Sequence, residues 1–337
     1  MEKIPAFRKA LLDWYGRAKR DLPWRRTRDP YAIWISEIML QQTRVAAVIP
    51  YYARFLEAYP DFRALAAAPE PELLRMWAGL GYYSRARNVQ KAARQMLELG
   101  GFPNDYASIR ALAGIGDYTA AAVASIAFDL PHAVLDGNVM RVLARVGNDG
   151  SDIASMATRK RMQQEAQRLL DPKHPGEFNQ AVMELGATVC LPKQPLCGEC
   201  PVRGMCQARA AGRERELPVK GRKAQTVKVE RTLYVIRKGD GVLAWQRGEE
   251  SSQLRGFWEL PEPHHLKEVE DARIVGNFRH SITNHQYFFH VVEARILRKP
   301  KSFRYVPLSH EGVYPLSTTT RKALACLKKW RKAFPGA

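Results

Sequence analysis

Residues 107–128 read ASIRALAGIGDYTAAAVASIAF. Apolar residues at helical spacing flank the pentapeptide Leu112-Ala113-Gly114-Ile115-Gly116, so the stretch predicts two helices joined by a tight turn. The glycines allow that turn and let backbone N–H groups approach an anion with no side chain in the way. Ile115 is placed to pack between the two helices.

Outward from this hairpin the helical pattern holds from the start of the chain to about residue 206. Apolar segments of helix length are separated by Pro30, Pro50, Pro60, Pro69, Gly79, Gly100-Gly101 and Pro131, and no strand alternation of any length intervenes. At the start, Ile4, Phe7, Leu11 and Trp14 recur at helical spacing, as in a helix docked on a core. That stretch lacks the continuous apolar run of a signal peptide, and Glu2 and Asp13 argue against a transit peptide.

The balance of charge is strongly basic. Lys and Arg number 53 against 34 Asp and Glu, a formal net charge of +19 over 337 residues. Such an excess selects a polyanionic partner. A membrane fits less well than nucleic acid, because no run approaches the roughly 20 apolar residues that span a bilayer. Hydrophobic residues make up 46%, enough for real cores and too many for a disordered chain. In so basic a chain the glycine hairpin suits sequence-independent contact with a DNA backbone, through Gly114 and Gly116. The expected location is the cytoplasm, the bacterial cytosol or nucleoid.

Four of the five cysteines fall in one short run, Cys190-x6-Cys197-x2-Cys200-x5-Cys206. Thiolates crowded this way are favourable around a metal centre rather than in a disulfide framework. Zinc accepts four cysteines. A [4Fe–4S] cluster does too and tolerates uneven spacing because it is larger than one ion. Spacing leaves both open. Lys193, Arg203 and Arg209 in the same loop suit either phosphate contact or solvent. Cys326 stands alone in a helical pattern and is expected to be a small buried hydrophobe.

Two acids stand out. Glu37 is a lone carboxylate in the mostly apolar stretch WISEIMLQQTRVAAVI. Burial there would raise its pKa and suit a general acid; the alternatives are a solvent-facing side chain or a pair with Arg44. Asp136, in HAVLDGNVMRVLARV, follows an extended run and precedes a helical one. That position suits an N-cap, alone or with its second oxygen aimed into a cleft.

From 229 onward the pattern becomes β-like, in RTLYVIR (231–237), VLAWQ (242–246), ARIVGNF (272–278) and YFFHVVEARIL (287–297). A last helix is expected around 318–333, with Leu324, Leu327 and Trp330 on one face. The expected organisation is therefore a helical domain over 1–210, a charged linker over 211–228 that reads as a solvated tether, and an α+β domain over 229–337.

Taken together, LPWR (22–25), SEIMLQQTRV (36–45), GLGYYSRARN (79–88), LAGIGDYTA (112–120), LDGNVMRVL (135–143) and the cysteine loop resemble the helix–hairpin–helix DNA glycosylase superfamily, and within it the MutY-type adenine glycosylases. The match is close over residues 1 to about 210 and looser beyond. It implies an all-α catalytic domain with a DNA cleft, and a [4Fe–4S] cluster on Cys190, Cys197, Cys200 and Cys206. It implies that Glu37 is the catalytic acid and Asp136 the second catalytic carboxylate, supported by Tyr118 and Asn138. Gln42, Thr43, Leu80 and Tyr82 match DNA-contacting or wedging positions, and Arg20, Arg25 and Gln180 match the adenine pocket. Tyr118 stands where bifunctional relatives carry a nucleophilic lysine, which implies base release with little strand cleavage. The implied partner is double-stranded DNA carrying adenine opposite 8-oxoguanine or guanine, bound by a monomer.

GFWELPE (256–262) resembles a segment of MutT-like (Nudix-like) domains, and Gly256-x5-Glu262 begins their box. The acidic remainder of that box is missing, so the domain is expected to recognise rather than hydrolyse. The resemblance places lesion reading on a Phe-Ser-His loop. Here that stretch reads Phe278-Arg279-His280-Ser281, with Arg279 in place of the serine. Other base-specific glycosylases and a non-catalytic damage sensor are the competing functions.

Overall fold

The computed structural model describes residues 3–221, 226–248, 251, 254–282, 284–308 and 314–334. Contacts divide the chain into two compact units, one of Met1–Ala68 with Asn88–Lys223, the other of Pro69–Arg87 with Ala224–Ala337. Pro69–Arg87, read from sequence as part of the helical stretch, thus clusters with the C-terminal residues.

Twelve helices precede residue 211 among the described residues: α1 Lys3–Ala18, α2 Pro30–Leu40, α3 Val45–Ala58, α4 Phe62–Ala67, α5 Glu70–Met76, α6 Ser84–Glu98, α7 Tyr106–Ala111, α8 Asp117–Phe128, α9 Gly137–Val146, α10 Met156–Leu169, α11 Pro175–Thr188 and α12 Gln207–Ala210. In the first unit, α2 is buried at every position from Tyr31 to Met39. An apolar helix without a polar face belongs in the centre of a bundle. Pro30 opens it, and the Asp29 carboxylate caps it by accepting the N–H groups of Tyr31 and Ala32. A second packing centre joins α1 (Phe7, Leu11, Tyr15), α8, α9 and α11 (Phe178, Val182, Leu185). Here α11 touches α9 backbone to backbone. A Cβ on Gly186 would lie 2.7 Å from Cβ of Asn138, so only glycine permits the approach.

The expected hairpin is present between α7 and α8, with Ile115 buried. Gly114 is required twice over: its φ is +75°, and a Cβ there would lie 2.6 Å from Cβ of Asn88. Gly116 has an ordinary φ of −93° and precedes α8 with open space where a Cβ would stand. Only the first glycine is demanded by the turn.

The second unit contains β1 Val227–Val235, β2 Arg237–Lys238, β3 Gly241–Gln246, β4 Trp258–Glu259, β5 Glu270–Ile282, β6 His285–Arg295, β7 Phe303–Pro307 and the helix α13 Thr318–Ala333. One sheet runs β1-β6-β5, with β1 parallel and β5 antiparallel to β6. The other gathers β2, β4 and β7, all antiparallel, on β3. On α13, Ala323 and Leu327 enter a core with Leu233, Val235, Val275 and Val291, while Leu324, Cys326 and Trp330 pack partly buried at its margin. This is the α+β region expected, with three short strands, β2, β4 and β7, beyond those read from sequence.

Two expectations change. Phe278-Arg279-His280-Ser281 is not a loop: it lies within β5, in register with Phe289 to Gln286 of β6. The alternation of half-buried Phe278 and His280 with exposed Arg279 and Ser281 is that of a strand with one covered face. Nor is the stretch after 211 a free tether. Leu217 is buried, its carbonyl accepts from Arg145, the Val219 carbonyl accepts from the Ile153 N–H, and the Gly221 N–H donates to Asp152. Residues 222–225 of the expected linker lie outside the described residues.

Candidate active site and cysteine loop

A cavity of about 500 Å³ opens in the first unit. It is lined by the segment before α2 (Arg20, Trp24, Arg25), by α2 (Glu37), by the following turn (Gln42, Thr43), by Tyr118 of α8, by Asp136 and Asn138 at the start of α9, and by Gln180, Met183 and Glu184 of α11. The structure thus brings together every catalytic and adenine-pocket residue expected from the sequence.

Glu37 is only 6% exposed. It neither faces solvent nor pairs with Arg44; the side-chain donor that reaches it is the Tyr118 hydroxyl, 2.9 Å from Oε2. Burial pushes its pKa up from 4.5 to about 7, against that hydrogen bond and the charge of Arg25, with Asp136 adding to the rise. The Met183 sulfur lies 3.1 Å from the same hydroxyl.

Asp136 is the N-cap of α9, as its position predicted. Oδ1 accepts the Val139 N–H at 2.7 Å, and Oδ2 accepts the Asn138 amide at 3.0 Å. Burial lifts its pKa above the usual aspartate range, opposed by those donors and by Arg141. Both oxygens of Asp136 are occupied by donors, whereas Glu37 has one, so Asp136 is the better anion of the pair.

The same cavity is lined by Glu184, 1% exposed and unremarked in the sequence. Its Oε1 accepts from the Arg20 backbone N–H at 3.0 Å and Nε at 2.8 Å. Its Oε2 accepts from Arg20 Nη2 at 2.7 Å and Arg25 Nη2 at 2.8 Å. These donors hold Glu184 down to about 2 although burial alone would raise it. Gln180, one turn earlier, is fixed by the Tyr15 hydroxyl, which donates to its Oε1 at 3.2 Å. The four-residue spacing of Gln180 and Glu184 was the available signal, since it sets both on one helix face.

The expected DNA-contacting positions divide. In the first unit, Gln42 is exposed at a left-handed φ of 58°, with Thr43 beside it. In the second, Tyr82 is 51% exposed at a φ of 47°, after Gly79 and Gly81 at positive φ. Arg85 braces that turn by donating to the carbonyls of Leu80 and Gly81. Leu80, also expected to contact DNA, is buried.

Beyond Asp136, α9 presents Arg141 and Arg145, four residues apart, to the cysteine loop. Arg141 donates to the carbonyls of Cys190 and Gly186 and to Oδ1 of Asn138, each within 2.8 Å. Arg145, buried, donates to the carbonyls of Leu217, Leu191 and Pro192 and to the Cys190 sulfur at 3.2 Å. Cys190, Cys197, Cys200 and Cys206 line one hollow with Val142, Val146, Leu185, Val189 and Val202. Burial pushes the Cys200 thiol up to about 11 and raises Cys197 as well. Thiolates in such a setting need a positive centre among them, and the Arg145 guanidinium lies against the Cys190 sulfur. The residues therefore fit a metal–sulfur group.

In the second unit, Glu259 and Glu262 of the GFWELPE stretch are paired with Arg247 and Arg231. The chain continues into a short turn, Pro263–His265, and then into β5, without the helix and acids of a complete box.

Residues 35–172 match the family model of the HhH-GPD superfamily base excision DNA repair protein, and residues 190–206 that of the iron-sulfur binding domain of endonuclease III. An adenine DNA glycosylase of Buchnera aphidicola from Acyrthosiphon pisum is 31% identical over 271 residues, covering 80% of this chain and 76% of that protein. The chain belongs to the adenine DNA glycosylase family. The human adenine DNA glycosylase is 48% identical over 230 residues, which cover 65% of this chain and 42% of the human protein. The chain thus spans less than half the length of its mammalian relatives. A solved thermostable thymine-DNA glycosylase superposes with a TM-score of 0.56 at 29% identity, over 62% of this chain and 98% of that one. The second match runs from the first to the last cysteine of the loop. It selects iron over zinc: the family carries a [4Fe–4S] cluster, and the matched stretch contains Cys190, Cys197, Cys200 and Cys206.

Proposed function

We propose that the chain is a monofunctional DNA glycosylase, acting in base excision repair, that hydrolyses the N-glycosidic bond of adenine mispaired with 8-oxoguanine or guanine. The observation that carries this reading is the pairing in one cavity of a buried carboxyl titrating near 7, Glu37, with a carboxylate whose two oxygens are engaged by donors, Asp136. Adenine leaves poorly as an anion. Protonation of its N7 from Glu37 lets the C1′–N9 bond break with the electron pair passing to the base, which departs neutral. The sugar becomes oxocarbenium-like, and the negative charge of Asp136 stabilises it. Water then adds at C1′ and returns its proton to Glu37, which closes the cycle. Tyr118 offers no amine for a Schiff base, so strand cleavage does not accompany base release.

Reaching the cavity requires extrusion of the nucleotide, which costs a few kcal/mol and least at a mismatch. Double-stranded DNA is accordingly the partner, held by the basic surface and the open hairpin at Gly116. The iron–sulfur group supplies cohesion to the cysteine loop, and the proton chemistry belongs to side chains of the cavity. The second unit is read as a MutT-like domain that recognises the opposing lesion, with Arg279, His280 and Ser281 of β5 as contacts; the arginine pairs on Glu259 and Glu262 argue against metal-dependent hydrolysis there. A monomer of the cytoplasm completes this reading.

The test is a single-turnover excision assay on adenine opposite 8-oxoguanine, guanine or thymine, scored before and after alkali. Release fastest opposite 8-oxoguanine, with breaks only after alkali, is the expected result. No release from any pair would favour a damage-binding protein instead.

A further inference from the structure

Arg20, Arg25 and Glu184 line the same cavity as Glu37, and the adenine-glycosylase chemistry does not by itself explain one of them. Arg20 and Arg25 suit an electron-rich base. Glu184, an acid, lies behind them and takes four N–H donors on its two oxygens, leaving neither oxygen free for a substrate. A second tie, Arg25 Nη1 to the Arg20 carbonyl at 3.0 Å, locks the two arginines to each other. The side chain of Arg25 is only 11% exposed, so it has no solvent to turn to.

We infer that Glu184 is a positioning residue of the base pocket: it clamps Arg20 and Arg25 to one wall so that neither guanidinium swings across to form an ion pair with Glu37. The charged and titratable groups around Glu37 are Tyr118 on α8, Asp136 at the start of α9, Arg25 in the turn Pro23–Arg25, Arg20 before that turn, and Glu184 on α11. Among these Arg25 is the cation whose charge already reaches Glu37, where it opposes the effect of burial. Released from Glu184, Arg25 would find Glu37 and Asp136 as the carboxylates left on the cavity wall. Pairing with Glu37 would ionise it and remove the proton that the base requires. A bidentate clamp suits this role because the planar guanidinium is fixed in direction as well as in place.

This inference rests on the function proposed above, and one experiment separates the two. Single-turnover adenine release is measured against pH for the wild type, for Glu184→Gln, for Arg25→Met and for Glu184→Gln combined with Arg25→Met. In the wild type, release should decline as pH rises through about 7. In Glu184→Gln that decline should move to lower pH by about one unit or more. Arg25→Met should move it the other way, and the double variant should return it to the wild-type position or above. A Glu184→Gln variant that is slower at every pH by one constant factor, with the decline unmoved, would show that Glu184 merely supports the fold. Should Glu184→Gln fold poorly, an Arg25→Met profile identical to the wild type overturns the inference without it. A wild type that releases no adenine at any pH overturns the proposed function instead.

Discussion

The two walls of the cavity hold buried carboxylates in opposite states. On the α2 wall, Glu37 receives one neutral hydroxyl and is pushed up to about 7. On the α11 wall, Glu184 is also buried yet held down to about 2, because two guanidinium groups and a backbone N–H supply it with donors. Burial therefore does not decide protonation; the number and charge of the donors does. A general acid here needs a hydrophobic helix with a single weak donor, and α2 supplies that by being buried from Tyr31 to Met39 with apolar residues at most positions.

The strongest way to break this contrast is to remove the proton carrier. Glu37→Gln keeps the shape and the contact with Tyr118 but has no proton to give. We expect adenine release to fall by about 10²–10⁴-fold, with affinity for mispaired DNA retained. Release at the wild-type rate would end the assignment of Glu37 as acid.

Next in size is the dependence of folding stability on pH. The folded pKa of Glu37 lies above its ordinary 4.5, so its contribution is fully present below about 4.5 and is lost as pH rises toward 7. The folded pKa of Glu184 lies below 4.5, so its contribution is present above that value and is lost as pH falls toward 2. Each swing amounts to about 3 kcal/mol. Denaturant titrations should therefore show a flatter neutral side in Glu37→Gln and a flatter acidic side in Glu184→Gln. Slopes unchanged from the wild type in either window would show that the walls do not differ as described.

The smallest effect sharpens the role of the single donor. Tyr118→Phe removes a hydrogen bond that favours the ionised form of Glu37. The decline of adenine release should move to higher pH, by up to about one unit. Movement to lower pH would mean that the tyrosine favours the neutral acid.

Much of this could be read in the sequence because it depends on local signals. The hairpin is announced by Gly114 between helical patterns, the cap by Asp136 before an apolar helix, and the cysteine loop by its own spacing. The strands β1, β3, β5 and β6 follow β-branched and aromatic runs. What escaped depends on distant partners. Glu184 looks like any helical acid until it meets arginines 159 and 164 positions away. Leu217 looked like part of a tether until Arg145 was placed beneath it, 72 positions earlier. Strand β7 buries two of its five residues, Phe303 and Val306, too few to show a period. In Phe278-Arg279-His280-Ser281, which the resemblance makes a loop, three consecutive polar residues hide the strand period that the pairing with β6 reveals.

Asp136 carries one further consequence. Its two oxygens are divided between tasks, Oδ1 tying down the first turn of α9 and Oδ2 gripping the Asn138 amide beside the cavity. A random drift at position 136 is therefore screened twice in an organism, once when the chain folds and once when the enzyme turns over. On the proposed mechanism asparagine escapes the first screen, because its carbonyl still caps the helix, and is stopped by the second. A library sorted for solubility or melting temperature alone would collect that variant as a success, and only a damaged genome would report the loss.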